Sequence, residues 1–231
     1  MKILVVDVGG NNIKVLVSGQ KAPHKVPSGP TLSAARMAKA VRKAVAGTKY
    51  DAVTIGFPGP VKGGRPAEEP VNLGRGWVRF DYARAFGKPV RFVNDAAMQA
   101  LGSYRGGRML FLGLGTGLGS ALVLEGLLQP LEMAHLPYRN GKTYEDFLGK
   151  RGLDRVGKKR WRQLVHEIVP RLRHAFQVDE IVLGGGNAKQ LKELPPATRL
   201  GSNANAFTGG FRLWEDRQKP ARGSAAGRRR G

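Results

Sequence analysis

Apolar residues along this chain fall into short runs of two kinds. Ile3 to Val6 is unbroken and continues past Asp7 to Val8, so Lys2 to Val8 reads as a strand covered on both faces. Ile13 to Ser18 reads as a second strand. Gly9-Gly10-Asn11-Asn12 between them is a hairpin signal, because glycine and asparagine tolerate the backbone angles of tight turns. Helical spacing follows from Ser33 to Ala46 (Met37, Val41, Ala44, Val45), with Thr31 and Ser33 as cap candidates. Ala52 to Gly56 is a short strand that runs into a Phe57-Pro58-Gly59-Pro60 loop. Val90 to Val93 predicts another strand and Ala96 to Tyr104 a helix. Met109 to Leu114, a glycine turn and Ser120 to Leu124 then repeat the opening hairpin. Trp161, Leu164, Val165, Ile168, Leu172 and Phe176 make one stripe of a helix that Pro170 is expected to kink. Ile181 to Leu183 is a last strand, feeding Gly184-Gly185-Gly186-Asn187. Strands alternating with helices place the chain in the α/β class.

Composition narrows the function classes. With 231 residues the chain can bury one substantial core or two small ones. It has no cysteine, which excludes disulfides and thiolate metal sites. The first apolar run is too short for a secretory core, and none approaches the roughly 18 residues of a membrane span. The chain therefore reads as soluble and cytoplasmic, with no membrane partner. A formal charge of +22 points to a polyanion. Part of it lies in residues 216–231, a basic tail read as disordered that carries Arg217, Lys219, Arg222 and Arg228 to Arg230. A second concentration runs from Lys150 to Arg173, where only Asp154 and Glu167 oppose a run of lysines and arginines. That segment is either a solvated helix face or a surface for nucleic acid, an anionic membrane or a polyphosphate-like substrate.

The candidate chemistry rests on the pair of glycine hairpins. The first is Asp7-Val8-Gly9-Gly10-Asn11-Asn12-Ile13-Lys14 and the second Leu114-Gly115-Thr116-Gly117-Leu118-Gly119-Ser120. Glycines at such turns let backbone amides converge on an anion. Neither is a Walker loop, because no Gly-Lys-Ser/Thr follows, and neither is a dinucleotide fingerprint, because a strand comes next. A lone hairpin of this kind is often only a turn. Two of them, one with an aspartate at its entrance, describe a phosphate cleft between similar halves.

Over about Lys2 to Glu215 the chain resembles the ROK family of sugar kinases, and within it the polyphosphate glucokinases. Asp7 to Lys14 resembles the family's first phosphate motif, Asn94-Asp95-Ala96 its catalytic Asn-Asp-Ala, and Leu114 to Ser120 its second phosphate motif. Glu132-Met133-Ala134-His135 resembles the Glu-x-Gly-His sugar motif, and Gly184 to Asn187 the adenosine motif. The resemblance implies an actin-like ATPase (ribonuclease H-like) fold of two α/β subdomains, residues 1–95 and 96–215, around a cleft. It implies Asp95 as the base on a sugar 6-hydroxyl, although an aspartate there could serve only as a helix cap. Asn94, Glu132, His135, Glu145 and, in a stretch resembling the family's Asn-Leu-x-x-Trp segment, Asn72 are the implied sugar contacts. Gly9, Gly10, Asn11, Asn12, Lys14, Gly115, Thr116 and Gly117 are the implied phosphate contacts. Gly184, Gly185, Gly186 and Asn187 would meet a nucleotide, and Asp7 would hold Mg²⁺ through water.

Several positions depart from the family pattern. Relatives often bind structural zinc through a histidine and cysteines; with no cysteine, His135 is expected on the sugar and no zinc is expected. Asn11 replaces the usual threonine or serine, and Ala134 replaces a glycine beside the sugar. Phe207 to Leu213 leaves little room for the family's closing helix, so the expectation is a compact domain that leans on a partner, as a homodimer. Expected substrates are a hexose, glucose foremost, with polyphosphate and/or ATP as donor. The alternatives are an ATP-only kinase of another hexose, or a polyanion-binding protein for which nucleic acid is a non-specific partner.

Overall fold

The computed structural model of the protein describes residues 1–215, and the expected basic tail lies outside them. β1 (Ile3–Val8) and β2 (Asn12–Val17) form the opening hairpin, with Asp7 opposite Lys14 and Val8 opposite Ile13. β3 (His24–Pro27) extends it antiparallel. α1 (Ala34–Ala44) starts at Ser33, whose hydroxyl accepts the Arg36 amide, and buries Met37, Ala38 and Val41. β4 (Ala52–Phe57) runs parallel to β1. A small ribbon of β5 (Val61–Lys62) and β6 (Arg65–Pro66) and a short α2 (Tyr82–Phe86) lead to β7 (Val90–Asn94), parallel to β4. The sheet order is β3-β2-β1-β4-β7.

α3 (Asp95–Ser103) carries the chain to a second sheet. There β8 (Arg108–Leu114), β9 (Leu118–Leu124) and β10 (Leu127–Leu131) form another antiparallel meander. The ribbon of β11 (Pro137–Arg139) and β12 (Lys142–Thr143), then α4 (Tyr144–Leu148) and α5 (Lys150–Phe176), precede β13 (Glu180–Gly184) and β14 (Thr198–Leu200). The last two are parallel to β8, giving the order β10-β9-β8-β13-β14. Each sheet is thus a three-stranded meander followed by two parallel strands, the same winding twice.

Three apolar clusters hold the layers. Val6, Ile13 and Ile55 pack under α1 with Met37 and Val41. Leu110, Leu112 and Leu183 pack under α5 with Trp161, Leu164, Ile168 and Leu172, so the stripe seen in the sequence is the buried one. Val5, Met98, Met109, Phe111 and Phe207 form a third cluster between the sheets. At roughly 1.5–3 kcal/mol per large apolar side chain removed from water, this middle layer binds the two halves together.

Two features add to the sequence reading. At Pro170 the backbone angles stay helical, and the residue of α5 with non-helical angles is Gly157, with φ 73° and ψ 164°. Pro170 removes a single helix bond while the buried stripe holds both flanking turns, whereas Gly157 enters positive φ without a Cβ penalty. A closing helix does form: α6 (Asn205–Arg212) packs against α3 between the sheets. It returns to the first half, where Thr54 Oγ1 donates to Gly210 O at 2.7 Å and Trp214 Nε1 to Thr54 Oγ1 at 2.8 Å. Its eight residues suffice because Gly102 on α3 and Gly209 on α6 let the two backbones nearly touch. No helix among the described residues is long and apolar enough to cross a membrane.

Candidate active site

Both glycine hairpins are braced from outside, and the bracing uses carbonyls. In the first, Gly9 N donates to Asn12 O at 3.1 Å, while Ser28 Oγ donates to Gly9 O at 2.6 Å and Ser28 N to Asn11 O at 3.2 Å. In the second, Gly115 N donates to Gly117 O at 3.1 Å. Lys150 N, at the start of α5, reaches Gly115 O at 3.0 Å and Thr116 O at 3.2 Å. Asn187 Nδ2 also donates to Gly115 O, at 2.9 Å. Among the described residues the amides of Gly10, Asn11 and Thr116 make no hydrogen bond, which leaves donors for an anion at each turn.

The carboxylates meet where β1 and β7 end. Asp7 lies 3.7 Å from Lys14 Nζ across the hairpin; burial raises its carboxyl above the ordinary range and the ammonium partly offsets that. Asn94, not Asp95, caps α3: its Oδ1 accepts the amides of Ala96 at 3.0 Å and Ala97 at 3.2 Å, and its Nδ2 donates to Gly59 O at 3.2 Å. Capping therefore occupies most of the Asn94 side chain. Asp95 is left with one oxygen on the Ala96 amide at 2.8 Å. Burial, the charge of Asp7 and to a smaller extent that of Glu132 push its carboxyl up to about 7. Gly119 brings the second hairpin against the start of α3, since a Cβ there would lie 2.7 Å from Ala96 Cβ.

The other expected contacts are placed unevenly. Glu132 and His135 are both exposed at either end of the short 3₁₀ turn Met133–His135. Ser120 holds that turn, accepting Met133 N at 3.2 Å and donating to Leu131 O at 3.0 Å. Glu145, near the start of α4, accepts Leu118 N at 3.0 Å and lies against Gly117, so the fold joins it to the second glycine turn. Asn72 lies beside the first turn, its Cβ 3.8 Å from the place a Gly10 Cβ would take. Its loop is pinned by Glu69, which accepts Trp77 N at 3.1 Å, and by Trp77 Nε1 on Gly74 O at 2.7 Å. Gly184 ends β13, Gly185 abuts Leu114 at the base of the second hairpin, and Gly186 and Asn187 open a 3₁₀ turn.

Ser28, Glu69 and Ser120 were not legible as supports of the site. Their partners lie 8 to 19 residues away in sequence, and no local spacing marks them. Ser120 alone stands within a motif named from the sequence, where it reads as the start of a strand.

No protein-family profile matches the chain, and no curated protein matches it. Solved structures do. An inorganic polyphosphate/ATP-glucomannokinase from Arthrobacter sp. strain KM superposes with a TM-score of 0.71 at 22% identity, over 90% of this chain and 96% of that one. A ROK hexokinase from Thermus thermophilus gives 0.70 at 23%, over 91% and 96%. A ROK family glucokinase from Streptomyces griseus, solved with glucose and AMPPNP, gives 0.71 at 20%, over 92% and 99%. The chain therefore has the actin-like ATPase fold of the ROK-family sugar kinases, two sheets wound alike with the glycine hairpins and Asp95 at their meeting point.

Proposed function

We propose that the protein is a hexose kinase that moves a phosphoryl group from polyphosphate and/or ATP to the 6-hydroxyl of glucose or a similar hexose. The observation that carries this reading is Asp95: a carboxyl raised to about 7, held at the helix start between two amide-lined turns. A carboxylate poised near neutrality is matched to general-base work. Asp95 accepts the hydroxyl proton as the sugar oxygen forms its bond to the donor's terminal phosphorus. The bridging P–O bond breaks, and its electron pair stays on the departing phosphate chain. The turn amides of Gly10, Asn11 and Thr116 hold the charge that spreads over the transferred group. Glu132, His135 and Asn72 orient the sugar, and Lys14 balances Asp7.

Two acidic oxygen donors, Asp7 and Asp95, close enough for one to raise the other, form a hard set that suits Mg²⁺ keeping part of its water. Mg²⁺ held there, through water on Asp7, would supply neutralising charge on the donor's phosphates.

The reading of the donor rests on α5. It begins by gripping the second phosphate turn and continues as an exposed basic surface with Arg151, Lys158, Lys159 and Arg160. Phosphates beyond the one being transferred could lie along it, which favours polyphosphate as a usable donor. The Asn187 contact to Gly115 keeps the ATP reading alongside. The test is an activity matrix of ATP and polyphosphate against glucose, mannose and N-acetylated hexoses. The expected outcome is sugar-dependent phosphate transfer with both donors that Asp95→Asn removes. Tight DNA binding without turnover on any pair would overturn the kinase reading.

A further inference from the structure

A cavity of about 890 Å³ lies at the far end of α3 from Asp95. Its walls come from both halves: Val90 to Phe92 of the edge strand β7 on one side, Gly126 and Leu128 beside the edge strand β10 on the other. The end of α3 with Tyr104 and Arg105, and the residues after α6 up to Glu215, close it. None of these belongs to the phosphate or sugar motifs. α3 has nine residues, so the cavity is about 13 Å along the helix from the catalytic base.

Its chemistry is specific. The floor is apolar and aromatic, with Phe92, Leu101, Leu128 and Trp214. Three guanidinium groups line it against one carboxylate, Glu215. Two of them are built in. Arg91 stacks on the Trp214 ring at 4.2 Å and donates to Leu213 O. Arg212 donates to Leu101 O at 2.8 Å and Tyr104 O at 2.9 Å. Arg105 is exposed at the rim and makes no hydrogen bond among the described residues. Tyr104 stiffens the opposite wall, donating to Gly107 O at 2.9 Å and accepting Gly126 N at 3.0 Å.

We infer that this groove is a binding site, separate from the catalytic cleft, for a small phosphorylated metabolite with a ring or apolar body. Charge decides the class. The arginines exclude a cationic occupant, which disfavours the chain's own Arg-rich tail and a second copy of a chain carrying +22. The volume falls in the range of small-molecule sites, roughly 300 to 1,000 Å³. An aromatic floor beneath guanidinium groups suits a ring placed under a phosphate. A phosphorylated sugar and a nucleotide share the chemistry, and the experiment separates them.

Trp214 is the natural probe, because Trp77 and Trp161, the other two tryptophans, are fully buried. Glucose 6-phosphate, ATP and tripolyphosphate are each titrated into the full chain without Mg²⁺, with tryptophan emission and calorimetry as readouts. The expected result is saturable binding of glucose 6-phosphate or ATP that shifts Trp214 emission. Arg105→Glu should weaken it about tenfold or more, as loss of a charged hydrogen bond implies. Lys43→Glu, on the exposed face of α1, should leave it unchanged. The stronger of the two ligands identifies the source. No saturable shift at millimolar ligand, equal affinity in wild type and Arg105→Glu, or a tripolyphosphate-induced Trp214 shift that is as tight as that of the ring-bearing ligands and equally weakened by Arg105→Glu would overturn the assignment.

Discussion

In the proposed reaction Asp95 is the base, and its burial is also a cost to the fold. Its carboxyl is raised from 3.8 to about 7, chiefly by burial and then by Asp7. As a base it must be ionised, so kcat/KM for the sugar should rise with pH through about 7 and level above it. In Asp95→Asn that limb should vanish, with turnover reduced about a hundredfold or more while calorimetric sugar binding persists. Stability should show the opposite face of the same shift. A folded-state pKa above the unfolded value means stability is fully present below about 3.8 and is lost as pH rises through about 7. The loss is at most about 4 kcal/mol at 1.36 kcal/mol per unit. Asp95→Asn should therefore melt higher than wild type at pH 8, and the gap should shrink at pH 5. A constant gap would assign the effect to packing. The dipeptide itself was readable at a strand end, but its division of labour was not. Asn94 takes the cap because its side chain points back over the first turn, and this frees one Asp95 oxygen.

At the scale of elements, the geometry of α5 and α6 depends on what they pack against. Pro170 stays helical under the β8 and β13 side chains, and α6 needs only eight residues because it crosses α3 glycine to glycine. A Cβ at Gly102 would fall inside contact distance of the Asn205 carbonyl. Gly102→Ala should thus cost about 1–3 kcal/mol in urea unfolding, as overpacking does. Unchanged stability would mean the helices can separate without penalty. The sugar segment behaves differently. Glu132→Gln and His135→Ala sit on an exposed turn, so they should raise the sugar KM more than the donor KM while leaving the melting temperature near wild type.

For the whole molecule, the decisive quantity is where the +22 lies. On the proposed reading the two turns would take the three phosphates of ATP, whereas a long polyphosphate would extend along α5. Reversing Lys158, Lys159 and Arg160 together should raise the polyphosphate KM far more than the ATP KM. The polyphosphate KM should also climb more steeply with salt, because those contacts are solvent-exposed and the Debye length falls from about 10 Å at 0.1 M to about 3 Å at 1 M. Equal salt slopes for the two donors would leave α5 an ordinary solvated surface.

Whatever is local was decided by the sequence alone: both hairpins, the buried stripe of α5, the start of α1 at Thr31 or Ser33 and the carboxylates at strand ends. Period and turn chemistry act over a few residues, so they survive without knowledge of the fold. Tertiary structure decided which of these features meet. It set Gly119 against Ala96, Asn187 on Gly115 and Ser28 on Gly9, and it placed Asp7 near enough to Asp95 to raise it. It also opened an arginine-lined groove between β7 and β10, strands with nothing in common in the sequence. Such approaches join residues tens of positions apart, and their energies depend on burial and distance, which exist only once the two sheets have closed on α3 and α6.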